Sequence, residues 1–495
     1  MLWYGYIYYT IFNLVLIVTT LYALRMFLLM SISRANTILI LNKSFLYYTN
    51  FILLIALLVI NQSMNYYQDL ILITDISCCC CISYIGLFTY DSVVPYTSLS
   101  VNLSAVYYYP FVYVFLLVTV LSIIFCLSYN SDELISFMFY CKIILISGYT
   151  IFFTDSIVLF FMAYEMLLIP SFFILYKFAK TRRCVEAAYL MFFWTQFGAL
   201  FLIFGFIYLF IVSDSSLFSV ISNTGFTTFE VNFIFICCLM GFGVKLPIWP
   251  FYGWLPKAHV EASTNFSIFL SGVLVKFAFF GLMKCLISVQ LEPTFIYVYP
   301  FLVVGMVDAV FKLFYQVDLK KLVAYSTVVE MHWLTMCIVS GQSNLILANF
   351  CMLISHALLS TNSFLLVDAV ARRFKTRMIT EVSGINFLCP KLFIAILINS
   401  LIFLGFPGSI FFVSEFLFFS FFFDLFPVMC IFLVLLLYLI APTFFFRSWV
   451  NAMFGKSIWL LRTAPLDLSS RESVLFYGIP YLMYWLGASW QSFIV

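Results

Sequence analysis

Apolar runs of about 20 residues recur almost end to end in this chain, each long enough for a helix to cross the hydrocarbon core of a bilayer. About 13–15 such runs can be marked off, joined by short connections and without the strict alternation of barrel strands. A soluble domain is excluded, because roughly 25% of its residues would be charged; here the charged share is 9% and the hydrophobic share 65%. The expected fold is an all-α polytopic membrane helical bundle of about 14 transmembrane helices.

The formal net charge of +3 is too small to suggest nucleic acid as a partner. Basic clusters at Lys177, Lys180, Arg182 and Arg183, and at Arg372, Arg373, Lys375 and Arg377, read as loops that face the cytoplasm or matrix. Neither a cleaved signal nor an Arg-rich transit peptide is expected from the apolar, aromatic start. The 63 Phe and 32 Tyr stand against only 19 Gly. Phe and Tyr can be encoded with A and T alone, which points toward an organellar genome. Cys78, Cys79, Cys80 and Cys81 are contiguous. Iron–sulfur and zinc sites space their thiolates across loops, so this run reads as small apolar side chains in lipid. Neither a dinucleotide fingerprint nor a Walker-type phosphate loop is present, so the chain itself is not expected to hold NADH, flavin or ATP.

Leading helices are expected near 8–31, 45–62 and 105–128, around a less regular segment at 63–104 that holds Asp75, Asp91 and Pro95. Two later spans are interrupted. Residues 241–256 contain Pro247, Pro250 and Pro256, and the apolar run 392–423 is broken by Gly405, Phe406, Pro407 and Gly408. A pair of Gly/Pro-interrupted spans in two halves of a chain points to inverted repeats with ion sites near the midplane. The chain divides on this basis into N-terminal flanking helices (1–130), one repeat (131–290), a second (291–455) and a C-terminal helix (456–495).

Ionisable side chains lie where lipid depth should exclude them. Lys245 ends the apolar run 231–244, just before Pro247 and Pro250, and Lys276 is flanked by 270–275 and 277–282. Glu165 sits in MAYEMLLIPSFF with Pro170 five residues on, and Glu415 follows the second interruption. A charge at bilayer depth costs at least ~2.5–3.5 kcal/mol and is rarely placed there without a task. Burial drives acid and amine alike toward their neutral forms, where a proton can be passed on. The alternatives are a structural salt bridge or, for Lys245 above all, a side chain snorkelling to the interface. A second tier lies in DLKKLVAYSTVVEMHW (318–333), with Lys320, Lys321, Tyr325, Ser326, Glu330 and His332. His356 then opens a polar cluster with Ser360, Thr361, Asn362 and Asp368. Such groups threaded through membrane helices are what a proton relay requires, although a histidine there can equally be a packing residue. His259, between Lys257 and Glu261, is expected at the membrane surface in a structural role.

VKLPIWPFYGWLPKAHVEAS, YEMLLIP, DLKKLVAYS, the His356 region, RRFKTR and GFPGSIFFVSEF occur in one order. Together they resemble the antiporter-like membrane subunits of NADH:ubiquinone oxidoreductase (respiratory complex I), whose broader kin are Mrp-type sodium/proton antiporters. The resemblance covers roughly residues 131–451, and WLPKAHVEA with Glu415 favours the chain 4 type over its sisters, subunits 2 and 5. It implies two inverted five-helix repeats with discontinuous helices, and proton pumping driven by quinone reduction elsewhere in the complex. Glu165 then corresponds to the essential glutamate paired with Lys245, Lys276 to the central lysine on a hydrated axis, and Glu415 to the terminal residue facing the exit or the next subunit. One departure stands out: where the family has a histidine after AYS, this chain has Glu330. His332 lies two residues on, about 200° round the helix. Glu330, His356 or ordered water would have to make the link to Glu415. The resemblance also implies residence in the mitochondrial inner membrane. NADH, FMN, iron–sulfur clusters and ubiquinone would sit in partner subunits, with no cofactor in this chain. Its partners would be subunits 2 and 5, membrane lipids and, beyond them, a respiratory supercomplex. A stand-alone Mrp-type cation/proton antiporter remains the alternative.

Overall fold

Within hydrocarbon a backbone N–H or C=O has no water to bond, so spanning segments must satisfy these groups internally. The protein, described by a computed structural model at residues 118, 131–178, 181–289, 296–340, 343–455 and 467–488, follows that rule. Its described residues form helices and turns with two isolated β-bridges, Ser156–Leu217 and Asp318–Met378. The leading helices expected before residue 130, the segment 63–104 and the cysteine run lie outside the described residues, residue 118 apart.

The main helices are α1 (Ser131–Phe153), α2 (Ile157–Lys177), α3 (Arg182–Ser213), α4 (Thr228–Lys245), α5 (Trp254–Glu261) and α6 (Thr264–Ser288). Next come α7 (Tyr299–Phe314), α8 (Leu319–Val339), α9 (Ser343–Phe374), α10 (Pro390–Phe403), α11 (Ile410–Leu425), α12 (Pro427–Phe454) and α13 (Ser470–Ala488). Among the described residues seven of these are long and apolar enough to cross a membrane: α2, α3, α4, α6, α8, α9 and α12.

Burial sorts them into two layers. The most apolar stretches of α6, α8 and α9 are each 94% buried, whereas those of α2, α3, α4 and α12 are only 39–50% buried. The outer helices turn large side chains such as Phe193, Phe204 and Ile211 outward, as lipid-facing surfaces do. They approach one another through small residues: a Cβ on Gly198 of α3 would stand 2.7 Å from the Gly241 carbonyl oxygen of α4. The three inner helices carry more than half of the buried hydroxyls and amides and two of the three histidines, because there neighbouring helices can satisfy them.

Both interrupted spans are broken as the sequence suggests. α4 and α5 lie along α3, and α10 and α11 lie along α9, so each break flanks a helix of 32 residues. Pro247 and Pro250 remove two amide donors from the first break. The second turns on Gly405 (φ +70°) and Gly408 (φ +93°), a left-handed backbone that favours glycine. Ser409 then caps α11 by accepting the Phe412 amide at 3.2 Å. After each break comes a helix with one π turn, Leu270–Leu274 in α6 and Leu435–Ile440 in α12. The order long helix, broken span, π-bulged span thus occurs twice.

The two basic clusters occupy one end of the bundle. Thr181, between Lys180 and Arg182, bonds the Glu261 carboxylate at 3.4 Å. Arg377 donates to the neighbouring Val260 carbonyl at 3.0 Å and pairs with Asp318 at 2.8 Å.

Candidate functional site

Pro170 has no amide to offer the Met166 carbonyl, and the helix loosens there: Leu167 separates Ile157–Met166 from Leu168–Lys177. Glu165 lies at this irregularity and points into the bundle. Its Oε2 accepts from Gln196 Nε2 at 3.1 Å, and Oε1 stands 3.7 Å from Lys245 Nζ. Lys245 closes α4, where unpaired carbonyls favour a cation. Its Nζ donates to the Tyr164 carbonyl at 3.2 Å and lies 3.5 Å above the Tyr164 ring. With 12% of its side chain exposed, Lys245 turns inward to α2 and does not snorkel.

Just beyond it, the broken backbone is satisfied group by group. Ile248 N–H donates to the Gly243 carbonyl at 2.9 Å and Phe251 N–H to Ile248 at 2.7 Å. The indole of Trp254 donates to the Val244 carbonyl at 2.8 Å, and the Trp249 amide donates to His332 Nε2 at 2.8 Å. A cavity of about 30 Å³, room for about two waters, lies between Lys245 and the π turn of α6. Ser171 and Thr195 contribute hydroxyls to its largely apolar wall.

Lys276 follows that π turn and is 4% exposed. A π turn opens the regular ladder, and the Ser271 carbonyl accepts Lys276 Nζ. The Ser271 hydroxyl faces Ser360 of α9 at 3.3 Å. One helical turn before Ser360, His356 bonds the Glu330 carboxylate of α8 through Nδ1, while its Nε2 is buried without a hydrogen-bond partner. The charge of Lys276 is felt at both Glu330 and His356. Glu415, 4% exposed, interacts electrostatically with Glu330, its carboxyl engages the Tyr438 hydroxyl, and its Oε2 is buried without a hydrogen-bond partner of its own. It turns back toward the break: a Cβ on Gly405 would stand 2.5 Å from Glu415 Oε2 and 3.0 Å from the Tyr438 hydroxyl.

Six of the seven residues singled out from sequence therefore fall into a series. Glu165 pairs with Lys245, the cavity separates Lys245 from the turn bearing Lys276, and Lys276 is coupled to the Glu330–His356 pair and onward to Glu415. His332 does not join it. Both its ring nitrogens are engaged elsewhere, with the Trp249 amide and the Val328 carbonyl.

His259, whose charged neighbours suggest an exposed position, is enclosed by protein. It is fully buried, stacked 4.8 Å from the Phe364 ring, and both ring nitrogens lack hydrogen-bond partners. Electrostatically it meets Lys320 and Lys276. Its place four residues after buried Leu255 puts it on the apolar face of α5, and that spacing is the signal that could have found it. Lys284, which sequence reasoning left without a role, is also buried and donates to the Thr154 carbonyl.

The chain is similar to known proteins in sequence and in fold. A family model described as NADH:quinone oxidoreductase/Mrp antiporter, TM matches residues 154–441. The chain is 36% identical over 326 residues to NADH-ubiquinone oxidoreductase chain 4 of Paramecium tetraurelia, covering 65% of this chain and 68% of that protein. It is 30% identical to the chain 4 of Acanthamoeba castellanii over 54% of this chain and 55% of the relative. With subunit M of the NADH-quinone oxidoreductase of Rickettsia felis it shares 31% identity over 53% and 54% of the two chains. The matches thus span from about half to two thirds of these relatives' lengths. Its fold resembles a chain of the Mrp complex from a Dietzia species (TM-score 0.69, 14% identity, 77% of this chain and 81% of that one). A chain of respiratory complex I from Thermus thermophilus is equally similar (TM-score 0.69, 19% identity, 79% and 82% covered). This chain belongs to the NADH:quinone oxidoreductase/Mrp antiporter family of transmembrane subunits.

Proposed function

We propose that this chain is a proton-translocating membrane subunit of an NADH:ubiquinone oxidoreductase, seated in the mitochondrial inner membrane. The observation that carries the reading is the burial of Lys276, Glu330 and His356 on the three inner helices, in electrostatic contact with one another. Such placement is costly, and it is retained where ionisable groups pass protons. The reading includes a two-repeat division at 131–290 and 291–455, supported by the recurring order of long, broken and π-bulged helices.

The chemistry is proton transfer alone. While Glu165 and Lys245 are close, each charge supports the other. Separation leaves an amine without its counter-charge at the mouth of a water-sized cavity, and the amine releases its proton there. Lys276 takes it up from the far side of the cavity. The hydroxyls of Ser271 and Ser360 lead toward the free Nε2 of His356, and the His356–Glu330 bond carries the charge across from α9 to α8. Glu415, with an unbonded carboxyl oxygen, is the last acceptor before the exit or a neighbouring subunit. Glu330 occupies the link that a histidine makes in kin, and it takes His356 as its partner.

The driving redox chemistry, with NADH, FMN, iron–sulfur clusters and ubiquinone, belongs on this reading to partner subunits. The neighbours are antiporter-like subunits 2 and 5, with bilayer lipids and a respiratory supercomplex around them. A stand-alone cation/proton antiporter would use the same groups. The sequence relatives above, all oxidoreductase subunits, favour the complex. Lys276→Ala in the assembled, vesicle-reconstituted enzyme tests the proposal. NADH oxidation with an uncoupler should persist while fewer protons move per electron; an unchanged proton-to-electron ratio refutes it.

A further inference from the structure

His332 was a candidate carrier from sequence, and its surroundings point elsewhere. It is fully buried on α8. Its Nε2 faces the Trp249 amide at 2.8 Å, and a backbone N–H can only donate, so Nε2 is an acceptor without a proton. Nδ1 lies 2.8 Å from the Val328 carbonyl, which can only accept, so Nδ1 bears the hydrogen. The two partners fix a neutral tautomer and use both nitrogens. Taking up a second proton would break the bond to Trp249 and leave that amide buried and unpaired.

What the ring holds is the break itself. Trp249 lies four residues after Lys245, between Pro247 and Pro250, where no helical carbonyl is in register for its amide. Gly305 of α7 lets the contact form: a Cβ there would lie 2.2 Å from His332 Nε2 and 2.6 Å from the Trp249 Cβ. Glu330, two residues before His332 on the same helix, bonds His356. Helix α8 therefore grips the first broken span with one side chain and the acid–histidine pair with another.

We propose that His332 is a positioning residue, a neutral strut that ties α8 to the discontinuity after Lys245 and so sets the geometry of the Lys245 end of the pathway. The proposal rests on the relay reading above, because its effect is on proton movement through that pathway. It separates two roles that a buried histidine can have. A strut needs only an acceptor at the Nε2 position, whereas a carrier needs a group that titrates.

His332→Gln supplies a non-titrating acceptor of similar reach, and His332→Leu supplies none. Each would be measured in the assembled enzyme in vesicles as protons moved per electron, at matched uncoupled NADH oxidation. The strut predicts that Gln keeps the wild-type ratio while Leu lowers it or fails to assemble. Gly305→Ala, which pushes a methyl onto Nε2 and changes no titratable group, should lower the ratio as Leu does. Equal loss in Gln and Leu would overturn the proposal in favour of a carrier. Normal ratios in both, or in Gly305→Ala, would overturn it outright. Lys276→Ala run in parallel keeps the cases apart: full pumping there defeats the relay whatever His332 does.

Discussion

Replacing Glu165 by Gln keeps the shape of the Lys245 pocket and removes only the charge. At 3.7 Å the attraction between the two groups is about 4–5 kcal/mol with an effective dielectric constant of about 20. With side-chain exposures of 19% and 12%, solvent screens this pair little. Glu165→Gln removes the counter-charge that supports the Lys245 ammonium in this buried setting. The Tyr164 carbonyl still accepts from Lys245 Nζ, so the geometry survives. Lys245 would then have no acid partner to separate from, and the step that releases its proton is lost. Gln196→Leu makes a graded control, since it removes one hydrogen bond to the carboxylate, a loss of about 1.5–3 kcal/mol. The assay is simultaneous proton uptake and NADH oxidation in vesicles containing the assembled enzyme. Glu165→Gln should lower the proton-to-electron ratio by the share that this chain carries, with uncoupled oxidation retained, and Gln196→Leu should lower it less. A full ratio in Glu165→Gln, or a loss no larger than that of Gln196→Leu, would refute the reasoning.

Two glycines in the second break should part company. Gly405→Ala and Gly408→Ala both put a side chain on left-handed backbone, costing about 1–2 kcal/mol each, so native gels should show less assembled enzyme for both. Only Gly405→Ala also drives a methyl to 2.5 Å from Glu415 Oε2, while the nearest atom at Gly408 is 3.7 Å away. The enzyme that does assemble should therefore pump normally with Gly408→Ala and poorly with Gly405→Ala. Orientation can be read from Arg182→Cys, whose parent side chain is 93% exposed. A membrane-impermeant maleimide should label it from the matrix side, with buried Cys184 as the silent control; labelling only from the opposite side contradicts the assigned topology.

The breaks and the buried charges were legible because both are expensive in a membrane. Pro247 with Pro250, and Gly405 with Pro407 and Gly408, cluster helix-breaking residues within a few positions, and Lys276 amid apolar residues is costly to bury. Which apolar helices are interior was less legible. The α3 span has a mean hydropathy of 2.1 and the α6 span 2.0, yet their buried shares are 39% and 94%. Lipid and protein interiors are equally apolar, so hydropathy does not tell them apart. His259 was hidden by its neighbours: Lys257 is exposed two residues away on the opposite face of α5, while Leu255 shares the buried face. The role of His332 was out of reach, because its partner lies 83 residues earlier and only the folded chain brings them together.

The central claim is that protons move between buried groups through water held in the bundle. A map of the assembled enzyme sharp enough to resolve ordered water tests it most directly. Density is predicted in the cavity between Lys245 and the π turn before Lys276, and against the free nitrogen of His356 and the free oxygen of Glu415. Dry side-chain packing across those gaps would contradict the account.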